Sequence, residues 1–337
     1  MAFDITVAIL NWNGLTHLQE FLPSVVLYSE SAHILLIDNA STDESVSWIQ
    51  QKYPQIQIVI HSENLGFTEG YNLGLEHVTT PFAILLNSDV EVTSGWLDPL
   101  LARMQSDQRI VAVQPKILSY SQRDTLEYAG ASGGLIDALG YPFCRGRIFN
   151  SCEIDNGQYD NPRPVFWATG ACMLVRMDAY RQMNGLEPRF FAHMEEIDLC
   201  WRWQQAGYQV WVEPQSVVYH LGGGTLANTN PRKTFLNFRN GLALLYMNSL
   251  GVEVWWKIPV RLVLDGVAGA QFLFKGEWQN SLAILRAHFA FYSDFGYWTA
   301  KRKLNQSAAV KSITSGYFGG SIVWSYFVLR KKRFSDL

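Results

Sequence analysis

Three carboxylates within four positions, Glu195, Glu196 and Asp198 of MEEIDLCWRW, and a fourth, Asp89 of FAILLNSDVEV, are the residues of this sequence best suited to chemistry. Grouped carboxylates hold a divalent cation or exchange protons with a substrate. The trio stands where a helix should start, because apolar and aromatic residues follow it and Gly207 ends the segment. A helix dipole favours acidic residues there, but three in four positions exceed what a first turn needs. Asp89 poses a different question. Phe82 to Leu86 have a strand's composition, and the run breaks into Asn87, Ser88 and Asp89, so a buried strand ends in a carboxylate.

The elements that must position these groups alternate. ITVAILNW, HILLID, IQIVIH and FAILLN read as strands; helices are expected through about Tyr28, over ESVSWIQQKY and from about Glu69 to His77. Short apolar runs separated by helices predict an α/β fold with a mostly parallel sheet covered on both faces. Ligands of such sheets bind beyond the carboxyl ends of the strands. Polar residues collect there: Asn11 to Gly14, Asp38 to Asp43, the segment SENLGFTEGYNLG, and Asn87 to Asp89. Ser41 or Thr42 is expected to cap the second helix. Gly66, Gly70 and Gly74 recur every four residues, which implies close approach of a helix to a ligand or to the sheet. No GxGxxG follows the first strand, and LGGGT at Leu221 lacks the GK[ST] ending of a phosphate loop, so dinucleotide and NTPase readings lose their main support.

Composition bounds the rest. The chain has 337 residues, 48% of them apolar and 14% aromatic, which excludes disorder and predicts one or two folded domains. The net charge of -3 hides an asymmetry: residues 1–249 hold 15 Lys and Arg against 25 Asp and Glu, and residues 250–337 hold 12 against 5. The basic residues of the second region sit among apolar runs, VWWKIPVRLVLDGVAGAQFLF and GYFGGSIVWSYFVLRKKRF, rather than on a polar face, so nucleic acid is not an expected partner. Lys257, Arg261 and Asp265 interrupt the first run, and the second is too short to span a bilayer. A helix lying in the membrane surface fits, and so does a helical cap on the main domain or on a second copy in a homodimer. Cys144, Cys152, Cys172 and Cys200 form no CxxC pair; Cys144 and Cys152 are close enough for a disulfide, and idle reduced thiols fit equally. With no recognisable leader, a cytoplasmic protein is expected, peripheral at the inner face of the cell membrane. Residues 119–165 carry little regular pattern and many Gly and Pro, which predicts a functional lid or a partly mobile loop.

AILNWNG, LIDNASTD, ENLGFTEGYNLG, LLNSDVEV, FWATGACMLVR, MEEIDLCWRWQQAGY and VYHLGGGT occur in the order seen in family 2 glycosyltransferases. The sequence resembles that family over about residues 4–245, and within it the rhamnosyltransferase-like enzymes of bacterial cell-surface polysaccharide synthesis. The resemblance implies a GT-A fold over residues 1–249, Rossmann-like, with residues 250–337 as a C-terminal helical tail. It implies an inverting enzyme that uses Mn or Mg and moves rhamnose or a similar sugar from a dTDP- or UDP-sugar to a lipid-linked or polysaccharide acceptor. The family's DxD motif falls on Asn87, Ser88 and Asp89, with Asn in place of the first aspartate. That makes Asp89 a metal ligand, and His220 matches a second. Glu196 takes the position of the general base, where the family often has Asp, with Glu195 and Asp198 in support. Asn11, Asn13, Asp38, Asn64, Gly66, Asn72 and Asn87 match the nucleotide side, Trp167, Thr169 and Gly170 the sugar and acceptor side, and Arg239 of FRNG could neutralise phosphate. Trp12 could stack on the base or belong to the core.

Two other readings stand beside this one. Asn87, and Glu196 in place of Asp, would suit a catalytically inactive nucleotide-sugar binding protein. A structural protein of the membrane surface would bind no nucleoside diphosphate at all.

Overall fold

The computed structural model describes residues 4–222, 230–310 and 315–337. The expected strands and helices open the chain: β1 (Ile5–Asn11), α1 (Leu15–Tyr28), β2 (His33–Asp38), α2 (Ser45–Lys52), β3 (Gln57–Ile60), α3 (Gly66–Gly74) and β4 (Phe82–Asn87). β1, β2 and β4 are mostly apolar and buried because both faces of the sheet are covered there, whereas the edge strand β3 is partly exposed. Val7 and Ile9 share a buried cluster with Leu18, Leu22 and Val25 of α1, and Ala8 and Ile37 share the opposite one with Tyr71 of α3. Burying one such side chain contributes about 1.5–3 kcal/mol. Gly70 and Gly74 answer to the sheet: a Cβ on Gly74 would stand 2.3 Å from Ile37 Cδ1, and one on Gly70 would stand 3.0 Å from Leu10 Cδ1.

Beyond β4 the chain continues through β5 (Val90–Val92), α4 (Leu97–Ser106) and β6 (Ile110–Ser119). After an inserted region come β11 (Arg163–Val165), β12 (Cys172–Arg176), α5 (Met177–Gln182), α6 (Glu195–Gln205) and β13 (Gln209–His220). The main sheet runs β11, β13, β6, β12, β4, β1, β2, β3. From β4 to β3 all pairs are parallel, whereas β12 lies antiparallel between β4 and β6 and makes that half mixed. The chain order reverses at β1, which has β4 on one side and β2 on the other, so a crevice opens beyond the ends of these three strands. β5 leaves the path and pairs with the end of β13, Val90 opposite His220.

Residues 119–165 are not the irregular lid expected. They fold into β7 (Gly134–Asp137), β8 (Pro142–Cys144), β9 (Arg147–Ile148) and β10 (Ser151–Cys152), an antiparallel ladder joined on its free side by β14 (Tyr317–Phe318) from the far end of the chain. The glycines that made the segment look irregular supply its turns: Gly133, Gly140 and Gly146 all have positive φ. Phe143 and Ile148 are buried there against Ile322. Cys144 and Cys152 lie in β8 and β10, and both thiols are free.

The tail is helical, as expected. α7 (Pro231–Asn248) carries α8 (Val254–Phe274), α9 (Trp278–Ser293) and α10 (Phe295–Ala308), and Phe291 and Trp298 join the main buried cluster. Among the described residues no helix is long and apolar enough to cross a membrane.

Candidate active site

One side of the crevice is built from the tips of β1 and β2. The Asn11 amide donates to Asp38 Oδ1 at 2.9 Å, Ser41 Oγ at 3.1 Å and Ser45 Oγ at 2.9 Å, and Asp38 Oδ2 accepts from the Ser41 N–H at 2.9 Å. Asn11 Oδ1 is buried with no partner in the protein. An unpaired buried carbonyl is costly, so it is the natural acceptor for a ligand's N–H or O–H. Asn13 has positive φ and accepts at Oδ1 from the Thr42 N–H at 2.7 Å, which fixes the loop after β2. The start of α2 belongs to Asp43 rather than to Ser41 or Thr42: its Oδ1 accepts from the Ser45 N–H at 3.1 Å and its Oδ2 from Leu15 N–H at the start of α1 at 3.0 Å.

Asn39, not singled out from sequence, is the hub of the next wall. Its amide donates to Asn64 Oδ1 at 3.0 Å and to the Gly66 carbonyl at 2.9 Å, and its Oδ1 accepts from the Leu65 N–H at 3.0 Å. Asn64 also receives the Gly66 N–H at 2.9 Å. Gly66 has φ +75, and a Cβ there would meet the Phe191 ring at 2.5 Å, so only glycine lets these loops close on each other. Trp12 is 48% exposed beside them, which rules out the core role for it.

Asp89 and His220 meet because β5 and β13 pair. Asp89 Oδ1 lies 3.2 Å from His220 Nε2, and both residues are buried. Glu127 stands on the other side of the ring, Oε2 3.3 Å from Nδ1. Burial works against a charged imidazole, but the flanking carboxylates outweigh it and push His220 up to about 10. Burial would likewise raise the Asp89 carboxyl, and His220 more than offsets it and holds it below the usual range. A carboxylate oxygen and an imidazole nitrogen side by side, with a second carboxylate orienting the ring, fit a divalent cation. The imidazole proton is what such a cation would replace. Among the described residues no cluster of three or more acidic, His or Cys side chains could hold a metal, so the remaining ligands would have to come from substrate oxygens and water. Glu127 was missed from sequence, because nothing near it in the chain marks it as the partner of residue 220.

The carboxylates of MEEID stand at the turn into α6. Phe191, His193 and Met194 all have positive φ, a run that costs energy at each step. Asn240 of α7 holds it, its amide donating to the carbonyls of Phe190 at 3.0 Å, Ala192 at 2.9 Å and His193 at 2.8 Å. The turn delivers Glu195 and Glu196, each with a buried Oε2 that has no partner. Burial raises Glu196 to about 7 and, with Glu196 beside it, carries Glu195 well above the carboxylate range. A Cβ on Gly170 would lie 3.1 Å from the Phe67 ring and 3.9 Å from Glu196 Cβ, and the neighbouring Ala171 carbonyl accepts from Asn87 N–H at 2.9 Å. Asn87, half-buried at the tip of β4, is thereby linked through residues 170 and 171 to Glu196.

Four expected site residues are engaged elsewhere. Asn72 joins α3 to the 180s loop, accepting from Leu186 N–H and the Tyr180 hydroxyl and donating to the Leu186 carbonyl. The Trp167 indole is buried against Gly134 and donates to the Leu135 carbonyl at 2.8 Å. Asp198 accepts from Arg202 at 2.8 Å and Asn248 at 2.7 Å, which anchors α6. Arg239 spends Nη2 on the carbonyls of Arg189 and Phe190 and Nε on Asn240 Oδ1, so it braces the turn instead of meeting phosphate. The Gly223 to Thr225 part of VYHLGGGT lies outside the described residues.

Comparison with known proteins gives the chain a family and a fold. The family model described as "Glycosyl transferase family 2" matches residues 6–183. The N-acetylglucosaminyl-diphospho-decaprenol L-rhamnosyltransferase of Mycobacterium tuberculosis is 28% identical over 269 residues, 74% of this chain and 85% of that one. GalNAc-T7, solved with UDP, GalNAc and Mn2+, superposes with a TM-score of 0.57 at 16% identity over 73% of this chain, which spans about half of that enzyme, 48%. Staphylococcus aureus TarS 1-349 with UDP gives 0.51 at 14% identity, covering 93% of this chain and 95% of that one. At these identities the structural likeness shows the fold, GT-A, and no more.

Proposed function

The chain belongs to glycosyl transferase family 2, and on that premise we propose that it is an inverting enzyme that uses Mn or Mg. Its donor is a dTDP- or UDP-linked sugar, rhamnose or a similar deoxyhexose. Its acceptor is a hydroxyl of a lipid-linked or polysaccharide substrate in cell-surface glycan synthesis, reached at the inner face of the membrane. Two arrangements support this reading, which takes them to face one crevice: the paired carboxylate and imidazole of Asp89 and His220, and the buried, unpartnered Glu196 Oε2. The mycobacterial relative's name, which joins L-rhamnose transfer to a diphospho-decaprenol acceptor, supports the sugar and the acceptor class.

Each group has a task. Asn11, Asp38 and the loop pinned by Asn39 and Asn64 receive the nucleoside, with Trp12 exposed at the rim. Asp89 and His220 would hold the cation, which when bound offsets the charge that grows on the departing diphosphate. Glu196 accepts the acceptor's proton as the new bond to the anomeric carbon forms and the bond to the diphosphate breaks on the opposite face. A carboxylate is too weak to remove that proton beforehand, so position governs the rate, and a pKa near 7 suits a base working at neutral pH. Glu195, raised well above the carboxylate range, holds its proton more firmly and so leaves Glu196 the one of the pair that ionises, and Gly170 lets the Phe67 ring approach beside it.

A thermal-shift panel of nucleoside diphosphates with and without Mn tests the reading. Stabilisation by UDP or dTDP that grows with Mn is expected, together with loss of transfer and retention of binding in Glu196→Gln. No response to any pyrimidine diphosphate would overturn it.

A further inference from the structure

Helix α8 is inside out for a helix in water. Its charged residues, Lys257, Arg261 and Asp265, are all buried, whereas Trp256, Val260, Val263, Val267 and Phe274 are exposed. Their spacings of four, three, four and seven residues set them in one stripe. Gln271 is the one polar side chain exposed on this helix. The buried charges find partners within the protein: Arg261 stacks on the Tyr141 ring at 3.8 Å, donates to the Leu139 carbonyl at 2.9 Å and stands 3.8 Å from Asp265. Asp265 accepts from the Tyr141 hydroxyl at 3.3 Å and lies 3.2 Å from His288 Nε2, and Lys257 pairs with Glu253 at 2.6 Å.

Helix α9 repeats the inversion. Asn280 and Ser281 turn inward, the first accepting from Thr234 Oγ1 at 2.8 Å and the second donating to the Gly269 carbonyl at 2.7 Å. Trp278, Leu282, Leu285 and Phe289 face outward, with Arg286 the one exposed charge on the helix. Folded surfaces scatter apolar side chains singly, and a continuous apolar face on two packed helices marks an interaction site.

We infer that the α8–α9 hairpin seats this face in an anionic lipid bilayer, lying in the headgroup boundary without crossing it. The inference rests on the membrane-side part of the proposed function and names the surface responsible. Charge selects the occupant. Lys257 and Arg261 are buried, but exposed Lys275 follows α8 directly and exposed Arg286 stands on α9, and farther along the chain exposed Trp324, Phe327 and Leu329 run directly into the basic segment Arg330, Lys331, Lys332 and Arg333. Apolar faces beside cations match negatively charged lipid. A second copy would bring two such basic regions together, a like-charge contact that opposes dimerisation through this face. At 21 residues α8 is about 31 Å long, room enough for the whole stripe to lie flat.

The test is flotation of the full chain with vesicles, using Val263→Glu/Val267→Glu, which alters only exposed positions. Wild type is expected to float with vesicles containing about one-third phosphatidylglycerol and far less with phosphatidylcholine alone. The double variant should lose about tenfold or more of that binding while nucleoside diphosphate binding is unchanged. Wild type that stays out of both vesicle types, a variant that floats like wild type, or a dimer in sedimentation that the variant splits without any vesicle binding would each overturn the inference. Nucleotide binding without vesicle binding removes this inference alone, and vesicle binding without nucleotide binding removes the transferase reading alone.

Discussion

Asn240 donates to the backbone carbonyl of His193 at 2.8 Å from below, and that bond helps hold the left-handed turn that aims Glu196. Asn240→Ala would leave the carbonyls of Ala192 and His193 without this donor, while that of Phe190 keeps Arg239 Nη2. The expected cost is about 2–3 kcal/mol in urea denaturation. Because the turn carries the proposed base rather than the proposed nucleotide contacts, kcat should fall about tenfold or more with the donor KM nearly unchanged. A rise in donor KM at unaltered kcat would show that Asn240 acts elsewhere.

Glu196 links stability and rate to pH with opposite signs. Its carboxyl is raised from 4.5 to about 7 by burial, so between those values the folded chain keeps a proton that the unfolded chain has released. The contribution of this group to stability is therefore intact below about 4.5 and is lost as pH rises through 7. Activity runs the other way, since the base must be ionised, and kcat/KM should climb to a plateau above about pH 7. Glu196→Gln should flatten this part of the stability profile and cut kcat by about 10²–10⁴-fold. An acid limb that stays near pH 5 in wild type would contradict the assignment.

Glu127 Oε2 accepts from the Ala129 N–H and stands 3.3 Å from His220 Nδ1, placed to orient the ring once a cation is bound. Glu127→Ala should weaken Mn binding about 10–100-fold by calorimetry, with Glu127→Gln in between. Equal Mn affinity in all three proteins would leave Glu127 a bystander.

Gly66 has φ +75 with the Phe191 ring 2.5 Å from where a Cβ would stand. Gly66→Ala is expected to cost about 2–4 kcal/mol, from the left-handed backbone and the displaced ring together. Nucleotide binding should weaken as well, which thermal shift with UDP would read; a variant as stable as wild type would show that the loops have room to part.

Much of this was legible in the sequence, for physical reasons. β4 begins at Phe82 and ends at Asn87, where a doubly covered strand's apolar run gives way to polar tips. Those tips pointed to the crevice before any coordinates. The strands of the inserted sheet were not legible because they are two to four residues long, too short for any periodicity to register. Glu127 and Asn240 act through partners far away in the chain, and no local pattern encodes such a contact. In α8 the spacing reveals a stripe but not which side faces the protein, so Lys257, Arg261 and Asp265 looked like interruptions of an apolar segment when they are its inward anchors.

The pairing of β14 with β7 gives the C-terminus a reach that its distance in sequence conceals. Gly316 sits with positive φ against the Phe166 backbone, and the Ile136 N–H donates to its carbonyl at 3.1 Å. The Gly134 N–H, at the head of the same strand, donates to the Trp167 carbonyl at 3.0 Å, three residues before the glycine that flanks Glu196. The last twenty or so residues thus work as a rivet through the floor of the catalytic wall, and a chain clipped after α10 would loosen its base without losing any residue that touches substrate.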